Sequence, residues 1–461
     1  MKFKLFSLRK NIKHLMHQSI RTLHPPRILV IGFALTILVG ALLLNLPFAS
    51  QSGQSVGFVN SLFISTSAVC VTGLVVVDTA TQWTYFGQGV ILLLIQIGGL
   101  GFMTMGTLFA LILGRKITLK ERLIIQESLN QFNISGLVKL TQYILMMTFT
   151  IEGIGALILS TRFIPMYGIG KGTWFSIFHS ISAFCNAGFD LVGNYRSLTP
   201  FVKDPTISLT IAFLIILGGL GFVVILELFQ KRQFKKFSLH AKIVLSMTAS
   251  LLSIGFILFL VLEYKNTETL GQLNFVQKNV AAFFQSVTPR TAGFNTIPID
   301  KLNVASVFLT IVLMFIGGAS GGTAGGVKIT TVGVLISSMH SIISGKSDVE
   351  AFRRRIPRTI IDKSTTIVGL SLLLVIITTM VLSISEVNHG FIELFFETVS
   401  AFGTVGLSMG ITPTLTVVGK LIITMLMFFG RVGPLTIFMA LSSMNKQRPK
   451  FRYPEEKLIV G

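Results

Sequence analysis

The sequence has little charge, little cysteine and little acid. Only 12% of its 461 residues are Asp, Glu, Lys or Arg, about half the usual share of a soluble domain, while 51% are hydrophobic and mean hydropathy is +0.76. Water is therefore excluded as the solvent of most of the chain. The two cysteines, Cys70 and Cys185, exclude a disulfide framework and a thiolate metal cluster. Acids number 18 against 39 bases, and inside the apolar runs Glu152 and Glu227 stand alone, with no carboxylate pair, His-Glu motif or metal-ligand cluster beside them. That argues against an enzyme acting on a lipid or lipid-linked substrate, which needs juxtaposed acids, bases or a metal. In a soluble protein the net charge of +21 would point to nucleic acid. Here the bases fall between apolar runs, and no nucleic-acid partner is expected.

What the chain does have is apolar runs of about 20 residues, the length at which a helix crosses a hydrocarbon core of about 30 Å. The class is an all-α polytopic membrane protein. A basic start (Lys2, Lys4, Arg9, Lys10, Lys13) before the apolar run Ile28 to Leu46 imitates a signal peptide, but the length of the run and the spans that follow it predict an uncleaved first helix.

Internal similarity organises the rest. Four segments end alike: SAVCVTGL (67–74), SAFCNAGF (182–189), VTPRTAGF (287–294) and SAFGTVGL (400–407). Their glycines, Gly73, Gly188, Gly293 and Gly406, recur at intervals of 115, 105 and 113 residues. A second series, IGGLGF (97–102), LGGLGF (217–222), IGGASG (316–321) and FGRVGP (429–434), follows at offsets of 25, 30, 24 and 24. Each copy reads as a full span, a short re-entrant helix, a loop and a second full span, so four pseudo-symmetric repeats surround one central pore. The predicted division is a basic N-terminus (1–27), repeat one (28–113), a loop (114–139), repeat two (140–229), a loop (230–242), repeat three (243–344), a loop (345–364), repeat four (365–443) and a tail (444–461). Cys70 and Cys185 share one aligned position and read as small buried residues.

Orientation follows from Lys and Arg. Residues 1–27 carry seven, 114–139 five, 231–242 five, 340–363 six and the tail after Met444 five, against eight on the loop side. Both termini are expected to be cytoplasmic, in a cell membrane, with the loops facing out. Asp78, Asp190, Asp204, Glu263, Glu268, Asp300, Glu386, Glu393 and Glu397 gather on that outer side, where they are expected to concentrate cations.

Irregular backbone at membrane depth survives only when buried in protein or lining a wet cavity, so four such loops imply a shared axis. Extended backbone there can replace a cation's hydration shell with carbonyl oxygens, and the negative end of each short helix favours the same charge. No acidic side chain occupies the aligned loop positions, which makes carbonyls the selective element. The bland alternative, glycine as a helix-packing residue, accounts for one loop but not for four in register.

These residues resemble the Trk/Ktr/HKT superfamily of potassium transporters. The resemblance rests on Val71-Thr72-Gly73, Asn186-Ala187-Gly188, Thr291-Ala292-Gly293 and Thr404-Val405-Gly406, covers Pro25 to Ser443, and is nearest to the Ktr type of membrane subunit because the short N-terminus leaves no room for two extra helices. It implies that those twelve residues form a potassium filter. It also implies K+ uptake, often Na+-dependent, by a homodimer seated on a cytosolic ring of nucleotide-binding regulatory subunits, with no cofactor in this chain. Unlike tetrameric potassium channels, each loop here has a single glycine followed by Leu74, Phe189, Phe294 or Leu407, and weaker discrimination against sodium is expected. Sodium transport on the same scaffold is the nearest rival; Gly73 matches the potassium-type pattern rather than the serine of sodium-favouring relatives.

Within the second span of repeat three lies GGASGGTAGGVKITT (317–331), six of whose fifteen residues are glycine. Each internal glycine costs a helix about 1 kcal/mol relative to alanine, so an uninterrupted helix is not expected. A phosphate-binding loop is ruled out, because Val327 separates Gly326 from Lys328 and Ile329 follows. The family resemblance implies an intramembrane gate built from Gly317, Gly318, Gly321, Gly322, Thr323, Gly325, Gly326 and Lys328. Arg431, aligned with Gly99, Gly219 and Gly318, places a charge at a depth where it costs about 2.5–3.5 kcal/mol. Two roles stay open for it, an electrostatic barrier below the loops and a clamp on the carbonyls freed by the glycine segment. Arg290 is expected to bond the last carbonyls of the third short helix, Lys420 to snorkel outward, and His179 to pack rather than ligate. The basic stretches, including Lys231, Arg232, Lys235, Lys236 and Arg353 to Arg358, match anionic lipid headgroups and, by the resemblance, the regulatory ring. No dinucleotide-binding glycine pattern follows a predicted strand, which leaves nucleotide sensing to another chain.

Overall fold

The computed structural model describes residues 25–101 and 136–441, with positions 104–108, 117, 122–123, 126, 454 and 456. The predicted basic N-terminus up to residue 24, most of the 114–139 loop and most of the tail beyond 441 lie outside the described residues.

Repeat one runs through α1 (Pro25–Leu44), the short α2 (Phe58–Cys70) and α3 (Tyr85–Leu100). Repeat two comprises α4 (Leu137–Tyr167), α5 (Ile169–Phe184), α6 (Pro205–Leu220) and α7 (Phe222–Lys231). Repeat three has α8 (Leu239–Glu263), α9 (Phe275–Val287), α10 (Val304–Phe315) and α11 (Ile329–Ile343); a small hairpin, β1 (Glu350–Ala351) and β2 (Arg354–Arg355), leads to repeat four. That repeat holds α12 (Arg358–Ser385), α13 (Phe391–Gly403), α14 (Val417–Val432) and α15 (Pro434–Leu441). Among the described residues, four helices, Arg27–Leu44, Leu137–Tyr167, Leu239–Glu263 and Arg358–Ser385, are each long and apolar enough to cross a membrane. They turn large apolar side chains outward, among them Leu35, Met146, Leu157, Val261 and Met380, as helices facing lipid do.

The short helices lie against these opening spans through one repeated contact. Ser65 donates to the Ile37 carbonyl at 2.7 Å, Ser180 to Glu152 at 2.6 Å and Ser286 to Leu252 at 2.8 Å. Three residues further along each span sits a glycine, Gly40, Gly155 or Gly255, where a Cβ would lie within 2.5 Å of the same serine oxygen. A small residue at this place lets the two backbones approach.

The second spans differ from the sequence reading. In repeats one, two and four the helix stops at Gly101, Gly221 and Gly433, whose φ values of +81°, +85° and +92° are conformations that residues with a Cβ rarely adopt. At Gly221 the axis bends by 96°. Each is the fifth residue of the second motif series. Repeat three has Ser320 in that place and breaks over a longer stretch, from Ile316 to Lys328.

On the side where the short helix and its loop join the two spans of a repeat, several acids tie those spans together. Glu263 accepts from the Asn303 N–H at 2.9 Å, Glu386 from the Thr416 hydroxyl at 2.5 Å, and Asp204 caps α6 while pairing with Arg162 at 2.7 Å. With Glu397 these carboxylates are buried. The expected cation-concentrating set therefore reduces to Asp78, Asp190, Glu268, Asp300 and Glu393, which keep access to solvent.

Candidate functional site

The four predicted loops meet. In each, the first and third residues have positive φ and the second does not: Val71 and Gly73 (+57°, +95°), Asn186 and Gly188 (+59°, +70°), Thr291 and Gly293 (+64°, +78°), Thr404 and Gly406 (+50°, +92°). Left-handed backbone at Val71, Thr291 and Thr404 is costly for β-branched residues, about 1–3 kcal/mol each. Its recurrence in one register marks imposed geometry, since alternating hand turns successive carbonyls to one side.

Contacts between the loops close a ring. A Cβ added to Gly73 would lie no more than 2.7 Å from the Ala187 carbonyl oxygen, and the same holds for Gly188 against Ala292, Gly293 against Val405 and Gly406 against Thr72. Repeats one, two, three and four thus follow one another around a common axis, with the Thr72, Ala187, Ala292 and Val405 oxygens in the same ring. The C-termini of α2, α5, α9 and α13 lead directly into it, and bring partial negative charge.

A hydroxyl from each short helix holds its loop, and this was missed at the level of sequence. Ser67 and Ser400 accept from the Gly73 and Gly406 N–H groups at 3.0 and 3.1 Å. Ser182 donates to the Phe189 carbonyl at 2.8 Å, and Thr288 donates to that of Phe294. The signal was present, since Ser67, Ser182 and Ser400 open their repeated segments, while the third copy carries its hydroxyl one residue nearer the glycine.

Immediately beneath the ring lies the glycine-rich segment. Gly317 N–H donates to Val327 O at 2.8 Å and Ile329 N–H to Gly318 O at 3.0 Å, closing the segment on itself. It is laced to the bend of repeat two by Ala319 N–H to Gly219 O (2.8 Å), Thr323 N–H to Gly218 O (3.2 Å) and Phe222 N–H to Gly321 O (3.1 Å). Thr323 Oγ1 and the Asn186 side-chain amide bond at 3.1 Å in either orientation of the amide. Across the ring, Gly325 leaves no room for a Cβ against Thr404, and a Cβ on Gly326 would lie 3.1 Å from Gly403. The segment therefore reaches under the loops of repeats two and four. Thr404 Oγ1 is buried there without a partner.

Two basic side chains complete this layer. Arg431 donates to the Thr323 carbonyl and to that of Gly98, with Gly99 O at 3.4 Å, so it bridges repeats four, three and one. Lys328 Nζ donates to Ala324 O at 2.5 Å within the segment. Arg290 is placed differently from the expectation: its guanidinium leaves its own helix and reaches Thr248 O and Oγ1 of α8 at 3.4 and 3.5 Å, a partner that packing of the two elements supplies. Lys420 donates to Asn60 Oδ1 of α2 at 3.1 Å. Cys70 and Cys185 are buried and unpaired, and Cys185 lies beside Gln96 and Glu152, whose amide and carboxylate bond at 3.1 Å. His179 packs among Phe163, Phe175 and Phe178.

Above the ring, Asp78 accepts from Ala80 N–H, Thr81 N–H and Tyr195 N–H at 2.8–3.1 Å. Asp190, two residues after Gly188, accepts from Val192 N–H at 2.9 Å. Burial pushes the Asp190 carboxyl up to about 6, opposed by that N–H and assisted by the Asp78 charge. The arrangement can strip and hold a small cation by carbonyls, and obstruct it below by backbone and fixed positive charge.

The comparisons with known proteins accord with this architecture. The family described as TrkH, cation transport protein, matches residues 33–453. The chain is 47% identical to the Ktr system potassium uptake protein B of Bacillus subtilis, over 95% of this chain and 97% of that protein. It is 46% identical to the potassium/sodium uptake protein NtpJ of Enterococcus hirae, over 96% and 98% of the two chains. The crystal structure of the potassium transporter TrkH from Vibrio parahaemolyticus has the same fold, with a TM-score of 0.72 at 17% identity, covering 90% of this chain and 84% of that one. A four-repeat membrane chain with its loops in a closed ring, matched almost from end to end, belongs to the TrkH family of cation transport proteins.

Proposed function

We propose that this chain is the ion-conducting membrane subunit of a potassium uptake system. The observation that carries the reading is the closed ring of Gly73, Gly188, Gly293 and Gly406, in which each glycine abuts the carbonyl of the next repeat. Dehydrated K+ passes this ring by exchanging water for the carbonyls of Val71 to Gly73, Asn186 to Gly188, Thr291 to Gly293 and Thr404 to Gly406. The 317–331 segment is the gate, and Arg431 both pins it through Thr323 and opposes a cation electrostatically. For conduction the segment must leave the axis, which breaks its bonds to Gly218, Gly219 and Arg431. The Bacillus relative is named for potassium uptake, in agreement with this assignment.

The full assembly on this reading is a homodimer in the cell membrane with both termini cytoplasmic. A nucleotide-binding ring occupies the cytoplasmic face, where Lys235, Lys236, Arg353 and Arg354 are exposed. Na+ acts as a coupling or activating ion. A second reading, poor discrimination between K+ and Na+, is favoured by the single glycine of each loop and by the potassium/sodium name of the Enterococcus relative.

Growth of a potassium-uptake-deficient cell at low potassium, with and without sodium, tests both. Rescue by the wild type and its loss or conversion to sodium sensitivity in Gly73→Ser supports potassium selection at the ring. Rescue that is indifferent to Gly73→Ser overturns it.

A further inference from the structure

Aligning the four short helices on the hydroxyls that hold their loops, Ser67, Ser182, Thr288 and Ser400, brings a second set of residues into one position. These are Ile64, His179, Gln285 and Glu397, each three residues earlier and each 0% exposed. They lie behind the ring, yet are an alkyl group, an imidazole, a carboxamide and a carboxylate. Two of them grip the chain that leaves the ring. His179 Nδ1 bonds Phe175 O at 2.7 Å, which makes it the donor and leaves Nε2 to accept from Leu191 N–H at 3.4 Å. Glu397 Oε2 accepts from Ser408 at 2.7 Å and Oε1 from Thr412 at 2.5 Å, and the two hydroxyls lie 3.0 Å apart. In repeat three both amide atoms of Gln285 are buried without a partner, as is Thr296 Oγ1, three residues beyond Gly293. Ile64 can hold nothing. The ring is thus braced unequally, most strongly in repeat four, where one carboxyl group takes two short bonds from the chain beyond the ring.

On the reading that the ring conducts potassium, we propose that Glu397 is a positioning residue that sets its ionic selectivity. A ring of carbonyls discriminates against the smaller ion only as far as its loops resist closing around it. The tie from Glu397 to Ser408 and Thr412 holds the strand two to six residues beyond Gly406, and so limits inward movement of Thr404 to Gly406. Glu397 itself touches no ion.

The test is uptake of rubidium tracer, with and without competing sodium, by proteoliposomes carrying the purified full-length chain. Glu397→Ala, and separately Ser408→Ala with Thr412→Val, are expected to lower the rubidium-over-sodium preference about fivefold, the equivalent of one hydrogen bond. Maximal flux per assembled protein should change far less. Glu397→Gln, which keeps one accepting oxygen, should recover part of the preference. An unchanged preference in the hydroxyl double variant overturns the proposal, whatever happens to total flux. Should Glu397→Ala fail to assemble, that double variant decides alone. Wild-type vesicles that carry no rubidium would instead overturn the conducting function itself.

Discussion

The Arg431 guanidinium donates to the carbonyl oxygen of Thr323, 108 residues earlier in the chain. The bond joins the second span of repeat four to the glycine-rich segment of repeat three, directly under the ring. A hydrogen bond to a charged group contributes about 1.5–3 kcal/mol, and each 1.4 kcal/mol is a factor of ten in an equilibrium. Arg431→Ala is therefore expected to raise basal rubidium flux in proteoliposomes by about tenfold or more, through loss of both the bond and the fixed charge. Arg431→Lys keeps the charge but cannot span Thr323 and Gly98 together, and should fall between.

Thr323 also joins the segment to the ring, through Asn186. Deleting Thr323 to Gly326 removes that contact, the bond to Arg431 and the close approach to Thr404. Basal flux should then rise by an order of magnitude or more, and regulation should be lost with it. A deletion variant with normal, regulated flux would contradict a gating role for the segment.

The repeats were legible in the sequence because their register is one-dimensional. A glycine that cannot carry a Cβ against the next repeat must be glycine in each copy, so Gly73, Gly188, Gly293 and Gly406 stand out. The breaks at Gly101, Gly221 and Gly433 were equally visible as letters, yet were read as part of continuous spans, because a single glycine in an apolar run has many uses and its φ is not encoded in hydropathy. The partners of Arg290, Lys420 and Glu397 were not legible for another reason. Each finds its partner on another element, Thr248, Asn60 or Thr412, and such pairings are set by packing rather than by local sequence.

With both termini cytoplasmic, as proposed, Asp190 is expected to make uptake depend on external pH. Its carboxyl lies near 6, raised by burial above the ordinary aspartate value of 3.8, so it is ionised at neutral pH and loses its charge as pH falls through that value. Lowering external pH from about 7.5 to about 5 should reduce uptake at low potassium and low ionic strength about twofold, the size expected from losing one charge at the mouth. Asp190→Asn should give the lower rate at every pH. The linkage runs the other way for stability: a carboxyl raised in the folded state is most favourable to folding when protonated and loses that contribution as pH rises through 6. Asp190→Asn should therefore melt no lower than the wild type at pH 7.5.

Gly406 offers the sharpest test of the ring. Its φ is +92°, and a Cβ there would collide with the Thr72 carbonyl oxygen and lie 3.0 Å from the Gly73 Cα. Both neighbours are backbone held in turn by Ser67, so neither can swing aside as a side-chain tip could. Gly406→Ala must either spread repeats four and one, or twist Thr404 to Gly406 out of register. In each case the Thr72 and Val405 oxygens leave the ring together. Potassium uptake should fall at least about tenfold, well beyond the roughly 1 kcal/mol a glycine-to-alanine change usually involves. Gly89, on the exposed side of α3 with nothing within 4 Å of an added Cβ, provides the contrast: Gly89→Ala should leave uptake unchanged. Equal uptake by Gly406→Ala and the wild type would mean that the ring is wide enough to pass a hydrated ion, and selection by carbonyls could not then operate.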